Sequence, residues 1–165
     1  MKLSLVVPCY NEAENVALFQ EAVIEAFSGC GYDYEIVFID DGSRDATLHN
    51  LKKLYAAQRC PVKVVSFSRN FGKEAGLYAG LQHASGDYIS LIDADLQQRP
   101  EIVREMVKIL DEESQYDVVA GKWPESKEEL IFVISEKYMS NDEKEIQEEI
   151  EKVEKENVNE PISKL

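Results

Sequence analysis

The chain has 165 residues and carries 32 acidic against 18 basic side chains, a formal net charge of −14. This length suits one domain with a real core, and a hydrophobic content of 44% excludes a disordered chain. The acidity argues against nucleic acid as a partner and offers no basic face to anionic lipid, because both are bound through clustered Lys and Arg.

Apolar runs of strand length alternate with stretches of helix length as far as residue 121. The runs are rich in β-branched and aromatic residues, and they cover residues 3–7, 34–39, 62–67, 88–92 and 118–120. Parallel strands that are covered on both faces have such nearly continuous apolar sequences. The alternation therefore predicts an α/β fold, with a mostly parallel sheet flanked by helices.

Several residues mark where the helices begin and how they pack. Asn11 is predicted to cap the first helix, with Glu14 at the spacing of a capping box. Pro100 suits the first position of a later helix. Gly76 and Gly80 lie four residues apart, which predicts a bare helix face for close packing.

The composition changes after residue 123, so we divide the chain into a domain of residues 1–123 and an acidic tail of residues 124–165. The tail is about a quarter of the chain and carries half of its net charge. Ile146, Ile150 and Val153 form a narrow apolar stripe, which predicts a helical tail that is exposed or binds a partner helix.

Cysteine usage and targeting signals indicate a reducing, cytoplasmic setting. The three cysteines form no CxxC pair and are predicted to be buried, reduced thiols. The apolar N-terminal run is too short for a signal peptide, and no run approaches the roughly 20 residues of a membrane helix.

Acidic residues follow two of the predicted strands, where parallel α/β sheets bind ligands. Asp93 and Asp95 follow the fourth strand, and Gln97 comes two residues later. Two carboxylates and an amide oxygen are suitable ligands for Mg²⁺ or Mn²⁺, whose other positions would take water and substrate phosphate oxygens. An Asp-x-Asp pair is also common in turns and caps, so the second acidic strand end is needed to favour the metal.

The other strand ends predict a nucleotide site. Asp40 and Asp41 can accept hydrogen bonds from a base or a ribose. Asp40 is favoured as the binder, because Asp41-Gly42-Ser43 also suits a turn before a capped helix. Lys73, after a loop that contains Arg69, can bind phosphate. No GxGxxG or GxxxxGK[ST] motif is present, which argues against a dinucleotide site and a P-loop. His83 is predicted to be a surface or packing residue.

Five motifs in chain order resemble those of the family 2 glycosyltransferases, closest to the branch that uses polyprenyl phosphates. They are Val7-Pro8-Cys9-Tyr10-Asn11-Glu12, Ile39-Asp40-Asp41-Gly42-Ser43-Arg44-Asp45, Arg69-Asn70-Phe71-Gly72-Lys73, Ala84-Ser85-Gly86-Asp87, and Asp93-Ala94-Asp95-Leu96-Gln97 followed by Pro100-Glu101. The resemblance covers residues 3–121, and no single motif would be specific alone.

The resemblance implies a GT-A fold and inverting transfer of a sugar from a UDP- or GDP-linked donor to a polyprenyl phosphate. The implied catalytic residues are Asp93 and Asp95, which with Gln97 would hold Mg²⁺ or Mn²⁺. The implied donor-binding residues are Pro8, Tyr10, Glu12, Asp40, Asp41, Lys73 and Ala94. Such an enzyme would be cytoplasmic or peripheral at the inner face of the membrane.

The chain departs from the family in its last part. The family has Gly-x-Arg after the fifth strand, where this chain has Gly121-Lys122-Trp123, and residues 124–165 do not resemble the acceptor-side half. Two alternatives therefore stay open: a non-catalytic nucleotide-sugar-binding or scaffold module, and, less well supported, a receiver-type phosphoacceptor domain. A sheet that lacks a second half would also favour a homo-oligomer or a partner subunit.

Overall fold

A computed structural model describes residues 1–112, 116–122, 130–135 and 162–164 of the protein. The strands are β1 (Lys2–Cys9), β2 (Asp33–Asp40), β3 (Val62–Ser66), β4 (Tyr88–Leu91), β5 (Val118–Lys122), β6 (Leu130–Ser135) and β7 (Ile162–Lys164). The helices are α1 (Val16–Phe27), α2 (Thr47–Ala57), α3 (Lys73–His83) and α4 (Pro100–Glu112). Pro100 begins α4, as its fixed φ predicts.

The strands form one sheet in the order β3-β2-β1-β4-β6-β5-β7. The first four strands are parallel, whereas β6 runs antiparallel to both of its neighbours, β4 and β5. The predicted α/β fold with a mostly parallel sheet is therefore confirmed. Because β6 lies between β4 and β5, the sheet continues past residue 123, into the range that the sequence analysis assigned to the tail.

Helices cover both faces of the sheet. Leu5 and Val7 of β1 pack into the larger core with residues of α1 and α4, while Val6 points to the opposite face, toward α3. A Cβ added to Gly80 would lie 2.1 Å from Cγ1 of Val6. The glycine therefore lets α3 approach β1 closely, which confirms the packing role predicted for it.

A buried carboxylate joins the amino ends of three strands, on the side of the sheet opposite to the acidic strand ends. Glu35 accepts hydrogen bonds from Lys2 Nζ (2.8 Å), Ser4 Oγ (2.8 Å) and Ser85 N (2.9 Å), and Lys63 Nζ lies 3.2 Å away. Burial alone would raise the pKa of Glu35, but these hydrogen bonds lower it to about 2. The motif of residues 84–87 thus contributes to a structural ion-pair network.

Two local predictions are wrong. Asn11 does not cap α1, which begins five residues later at Val16; instead its Oδ1 accepts a hydrogen bond from the backbone N–H of Arg44 (2.9 Å). The three cysteines are free thiols, as expected, but only Cys9 is buried, while Cys30 and Cys60 are partly exposed. Both residues lie in short connections at the rim of the core, where their flanking sequence carries no burial pattern.

Two predictions about the last part of the chain lie outside the described residues. The helical stripe of Ile146, Ile150 and Val153 and the position of Trp123 fall in ranges for which no structure is described. Within the described ranges, none of the helices is both long and apolar enough to cross a bilayer.

Candidate functional site

The candidate site lies where the strand order of the sheet reverses. β2 and β3 lie on one side of β1, and β4 lies on the other, so a crevice opens at the carboxyl ends of β1 and β4. The pairing of Cys9 with Asp40, and of Asp40 with Ser66, makes the ends of β1, β2 and β3 level. The sheet therefore brings the charged residues that follow β1, β2, β3 and β4 to one edge.

The loop after β1 is tied to the loop after β2. The backbone N–H of Asn11 donates to Ser43 Oγ (3.0 Å), and that of Glu12 donates to Thr47 Oγ1 (2.8 Å). Tyr10 lies between these anchor points and β1, with 42% of its surface exposed. An aromatic side chain on a fixed loop can stack on a planar base. The contact of Tyr10 with a base stays a prediction.

Pro8 and Glu12 differ in what they expose at this edge. Pro8 is partly buried in β1 and lies 3.7 Å from the position that a Cβ on Gly76 would take. Glu12 is partly exposed, and its Oε2 accepts a hydrogen bond from Asn15 Nδ2 (2.7 Å). Their contact with a nucleotide stays a prediction.

Asp40 is buried at the end of β2, with 1% of its surface exposed. Its Oδ1 accepts from the backbone N–H of Ser43 (3.2 Å) and its Oδ2 from Ser66 Oγ (2.9 Å). A carboxylate has about four acceptor positions, so these two bonds orient the group and leave capacity for a ligand N–H or O–H. The predicted contact of Asp40 with a base stays a prediction.

Asp41 has a role that the sequence did not indicate. Its Oδ1 accepts from the backbone N–H of Phe71 (2.7 Å) and its Oδ2 from that of Gly72 (2.9 Å). These two hydrogen bonds hold the loop between β3 and α3 in place, and the Asp41 side chain that makes them is buried, with 5% of its surface exposed. Its partners lie 30 and 31 residues away, so no local motif could have shown this. Contact of Asp41 with a ligand remains a prediction.

The anchored loop places a cation beside the Asp-x-Asp pair. Lys73 is the first residue of α3, and its Nζ lies 3.1 Å from Oδ2 of Asp93. The Lys73 side chain is 63% exposed and that of Asp93 is 22% exposed. The predicted contact of Lys73 with phosphate stays a prediction, and the structure places its amine beside Asp93 of the predicted metal site.

The segment after β4 forms a tight turn. Asp95 Oδ1 accepts from the backbone N–H of Gln97 (3.0 Å), and Leu96 between them has φ +61°. Ala94 is buried, while the side chain of Gln97 is exposed. The sequence analysis missed Gln98, a 2% exposed residue whose Oε1 lies 3.4 Å from the backbone N of Asp93.

The oxygen ligands predicted after β4 suit a hard divalent cation whose remaining coordination positions would be filled by substrate oxygens and water. In the described part of the chain, no three His, Cys, Asp or Glu side chains converge into a preformed metal site. Mg²⁺ is nevertheless commonly held by one or two carboxylates plus phosphate oxygens and water. Asp93 and Asp95 would supply the carboxylates and Gln97 an amide oxygen, and the Lys73 contact shows that Asp93 is accessible to a cation.

Burial and nearby acids keep the one cysteine of this edge unreactive. Burial, followed by the negative charges of Glu12, Asp40 and Asp93, raises the pKa of the Cys9 thiol well above its ordinary value. A protonated thiol is a poor nucleophile.

An aromatic and cationic pair forms the rim of the loop after β3. The guanidinium of Arg69 lies 4.0 Å from the ring centroid of Phe71, and the ring of Phe67 packs edge-on against Phe71 at 5.6 Å between centroids. Phe71 is 50% exposed. The exposure of Phe71 could not be predicted, because an aromatic residue at this position of the sequence gives no signal of exposure.

The chain is similar in sequence to a known protein family and to curated relatives. The family model described as "Glycosyl transferase family 2" matches residues 4–160, which extends past residue 123. A relative from Escherichia coli (strain K12), the "Prophage bactoprenol glucosyl transferase homolog", is 46% identical over 108 residues. Those residues are 66% of this chain and 35% of the relative, so the chain spans about a third of that protein's length.

Two solved structures have a similar fold. TarS 1–349 from S. aureus in complex with UDP gives a TM-score of 0.60 at 26% identity, over 72% of this chain and 34% of that one. The mannosyltransferase PcManGT from Pyrobaculum calidifontis, in complex with GDP-Man and Mn²⁺, gives 0.61 at 24% identity, over 70% and 34%. The fold is thus of the GT-A type, and the match over residues 4–160 shows that the chain belongs to glycosyl transferase family 2.

Proposed function

We propose that this chain binds a nucleotide-diphosphate sugar, with a divalent cation, for inverting transfer of the sugar to a polyprenyl phosphate. The observation that carries the proposal is the ion pair of Lys73 with Asp93 (3.1 Å) after β4, where the strand order reverses, with Asp95 two residues farther along the chain. This edge combines two acids for a cation with one base for a phosphate, as a diphosphate donor requires.

The cation would be held by Asp93, Asp95 and Gln97. Bound there, Mg²⁺ or Mn²⁺ would stabilise the negative charge that develops on the leaving diphosphate. Lys73 begins α3 and carries the positive charge nearest to this pair, so it would bind a phosphate oxygen of the donor. The Mn²⁺ and GDP-Man of PcManGT support this placement only through the shared fold.

The base and ribose would lie toward β1 and β2. Tyr10 would stack on the base, and Asp40 would accept a hydrogen bond from it through the lone pairs that Ser43 and Ser66 do not use. Pro8, Glu12 and Ala94 would complete the pocket. UDP is the ligand of TarS and GDP-Man that of PcManGT, so either base is compatible with this fold.

The acceptor chemistry makes few demands on the protein. In the transfer, an acceptor phosphate oxygen forms a bond to the anomeric carbon from the far side, and the bond to the diphosphate breaks with its electron pair leaving on the diphosphate. The second pKa of a phosphate monoester is about 6, so the acceptor is an anion at neutral pH. A strong general base is therefore not needed.

The polyprenyl acceptor is supported by the relative named for bactoprenol. The hydrocarbon tail of such an acceptor would lie in a membrane. The protein would therefore act at the cytoplasmic surface of that membrane. A second candidate is a module that binds the donor without transfer, favoured by Trp123 at the position where the family resemblance implies an arginine. Formation of sugar-linked polyprenyl phosphate by the purified chain would separate the two.

A thermal-shift panel tests the donor site. We expect UDP- or GDP-sugars to raise the melting temperature only when Mn²⁺ or Mg²⁺ is present, because the cation links the diphosphate to Asp93 and Asp95. At 100 times the dissociation constant, binding adds about 2.7 kcal/mol, or roughly 5–10 °C for a chain of this size. Absence of any shift with every donor would contradict the proposal.

A further inference from the structure

The amine of Lys73 forms an ion pair with Asp93, the carboxylate that would also bind the proposed cation. Its Nζ lies 3.1 Å from Oδ2 of Asp93. We propose that Lys73 is an exchangeable counterion: it neutralises Asp93 when no cation is bound and moves to the donor diphosphate when a divalent cation binds Asp93. This inference rests on the proposed function and specifies how the cation and the donor depend on each other.

The exchange follows from charge at close range. A divalent cation on Asp93 and an ammonium group on the same carboxylate would repel each other at a few ångströms. The ammonium group can move away at little cost, because the Lys73 side chain is 63% exposed and has a flexible four-carbon stem. Exposed ion pairs contribute little net energy, so the pair with Asp93 is readily broken.

The backbone of Lys73 cannot move in the same way. Asp41 holds the backbone N–H groups of Phe71 and Gly72 at 2.7 and 2.9 Å, and α3 begins directly after them. The residue therefore stays at the site edge while its side chain changes partner. The diphosphate on the same cation would then be an anionic partner for the amine.

The consequence is that cation and donor favour each other's binding. A cation alone has to displace Lys73 with no new partner for the amine, whereas a cation with a nucleoside diphosphate supplies that partner. By thermodynamic linkage, the donor must raise cation affinity by the same factor by which the cation raises donor affinity.

The test measures two affinities in Lys73→Met and expects them to change in opposite directions. Mn²⁺ binding to the protein without nucleotide, counted by electron paramagnetic resonance of the free ion, should tighten roughly two- to fivefold, because the exposed ion pair with Asp93 no longer has to be broken. Binding of UDP and of GDP with saturating Mn²⁺, measured by calorimetry, should weaken about tenfold for the base that the wild type prefers.

Lys53→Met is the matched control, since Lys53 is exposed on α2 and the change alters net charge equally. It should leave both affinities unchanged, and thermal unfolding should show that both variants fold. Unchanged or weaker Mn²⁺ binding in Lys73→Met would overturn the exchange while leaving the proposed function standing. Undiminished nucleotide binding would overturn the exchange together with the phosphate contact of Lys73, but not donor binding by the chain. Failure of the wild type to bind either nucleotide with Mn²⁺ would overturn both.

Discussion

Replacing both Asp93 and Asp95 by asparagine is expected to abolish binding of a nucleotide-diphosphate sugar in the presence of Mn²⁺. Asparagine has nearly the same size as aspartate, and its side-chain oxygen can still accept the hydrogen bond that Asp95 accepts from the backbone N–H of Gln97. The double substitution does, however, remove the two negative charges that would hold the cation. We expect donor affinity to fall at least about 100-fold by calorimetry, since even residues that only orient metal ligands contribute 10- to 100-fold.

The control for this double variant is Asp33→Asn with Glu25→Gln. Both residues are exposed, one at the start of β2 and one on α1, and the net charge changes by the same amount. We expect the control to bind donor as the wild type does and both double variants to unfold at nearly the wild-type temperature. Wild-type affinity in the Asp93 and Asp95 variant would show that the cation and the diphosphate bind elsewhere.

Replacing Gly42 by alanine is expected to destabilise the protein by about 3 kcal/mol or more and to disturb the donor site. Gly42 has φ +65°, and a Cβ there would lie 2.3 Å from the backbone carbon of Arg69. The left-handed conformation costs a non-glycine residue about 1–2 kcal/mol. The clash with Arg69 adds to this cost, because the atom in contact belongs to the backbone and cannot move aside by a side-chain rotation. Urea unfolding followed by circular dichroism would measure the loss.

Gly29→Ala separates these two contributions. Gly29 has nearly the same φ, +68°, but a Cβ there would meet no atom within 4 Å. We expect this variant to lose only the conformational part, about 1 kcal/mol, and to keep its donor affinity. If Gly42→Ala were no more destabilising than Gly29→Ala, the close contact between the loops after β2 and β3 would be wrong.

The parallel part of the sheet was predictable because its strands are buried on both faces. Val6 and Val37 are covered by α3, while their chain neighbours pack against α1 and α4, so each strand reads as an unbroken apolar run. β6 was not predicted, because an antiparallel strand at residues 130–135 follows an acidic segment and its pairing with β4 has no sequence signal.

The candidate site could be located from the sequence, but its internal connections could not. The rule that parallel strands present ligands at their carboxyl ends is enough to bring Asp40 and Asp93 to one edge. Asp41 looks the same as Asp40 in the sequence, yet its oxygens bind the backbone of a loop 30 residues away. Asn11 was assigned to a helix cap because its bond to Arg44 spans 33 residues and leaves no local pattern.

The location of the bound cation tests the central claim most directly. The isotope-labelled chain would be saturated with its preferred UDP- or GDP-sugar and Mg²⁺, and Mn²⁺ would then be added in small amounts, because its unpaired electrons broaden the resonances of nearby nuclei. We predict that the amide signals of Ala94, Asp95 and Lys73 disappear first, while those of Tyr32 and Tyr88, at the opposite edge of the sheet, persist. Loss centred on that opposite edge, or no selective loss, would contradict a donor site at the carboxyl ends of β1 and β4.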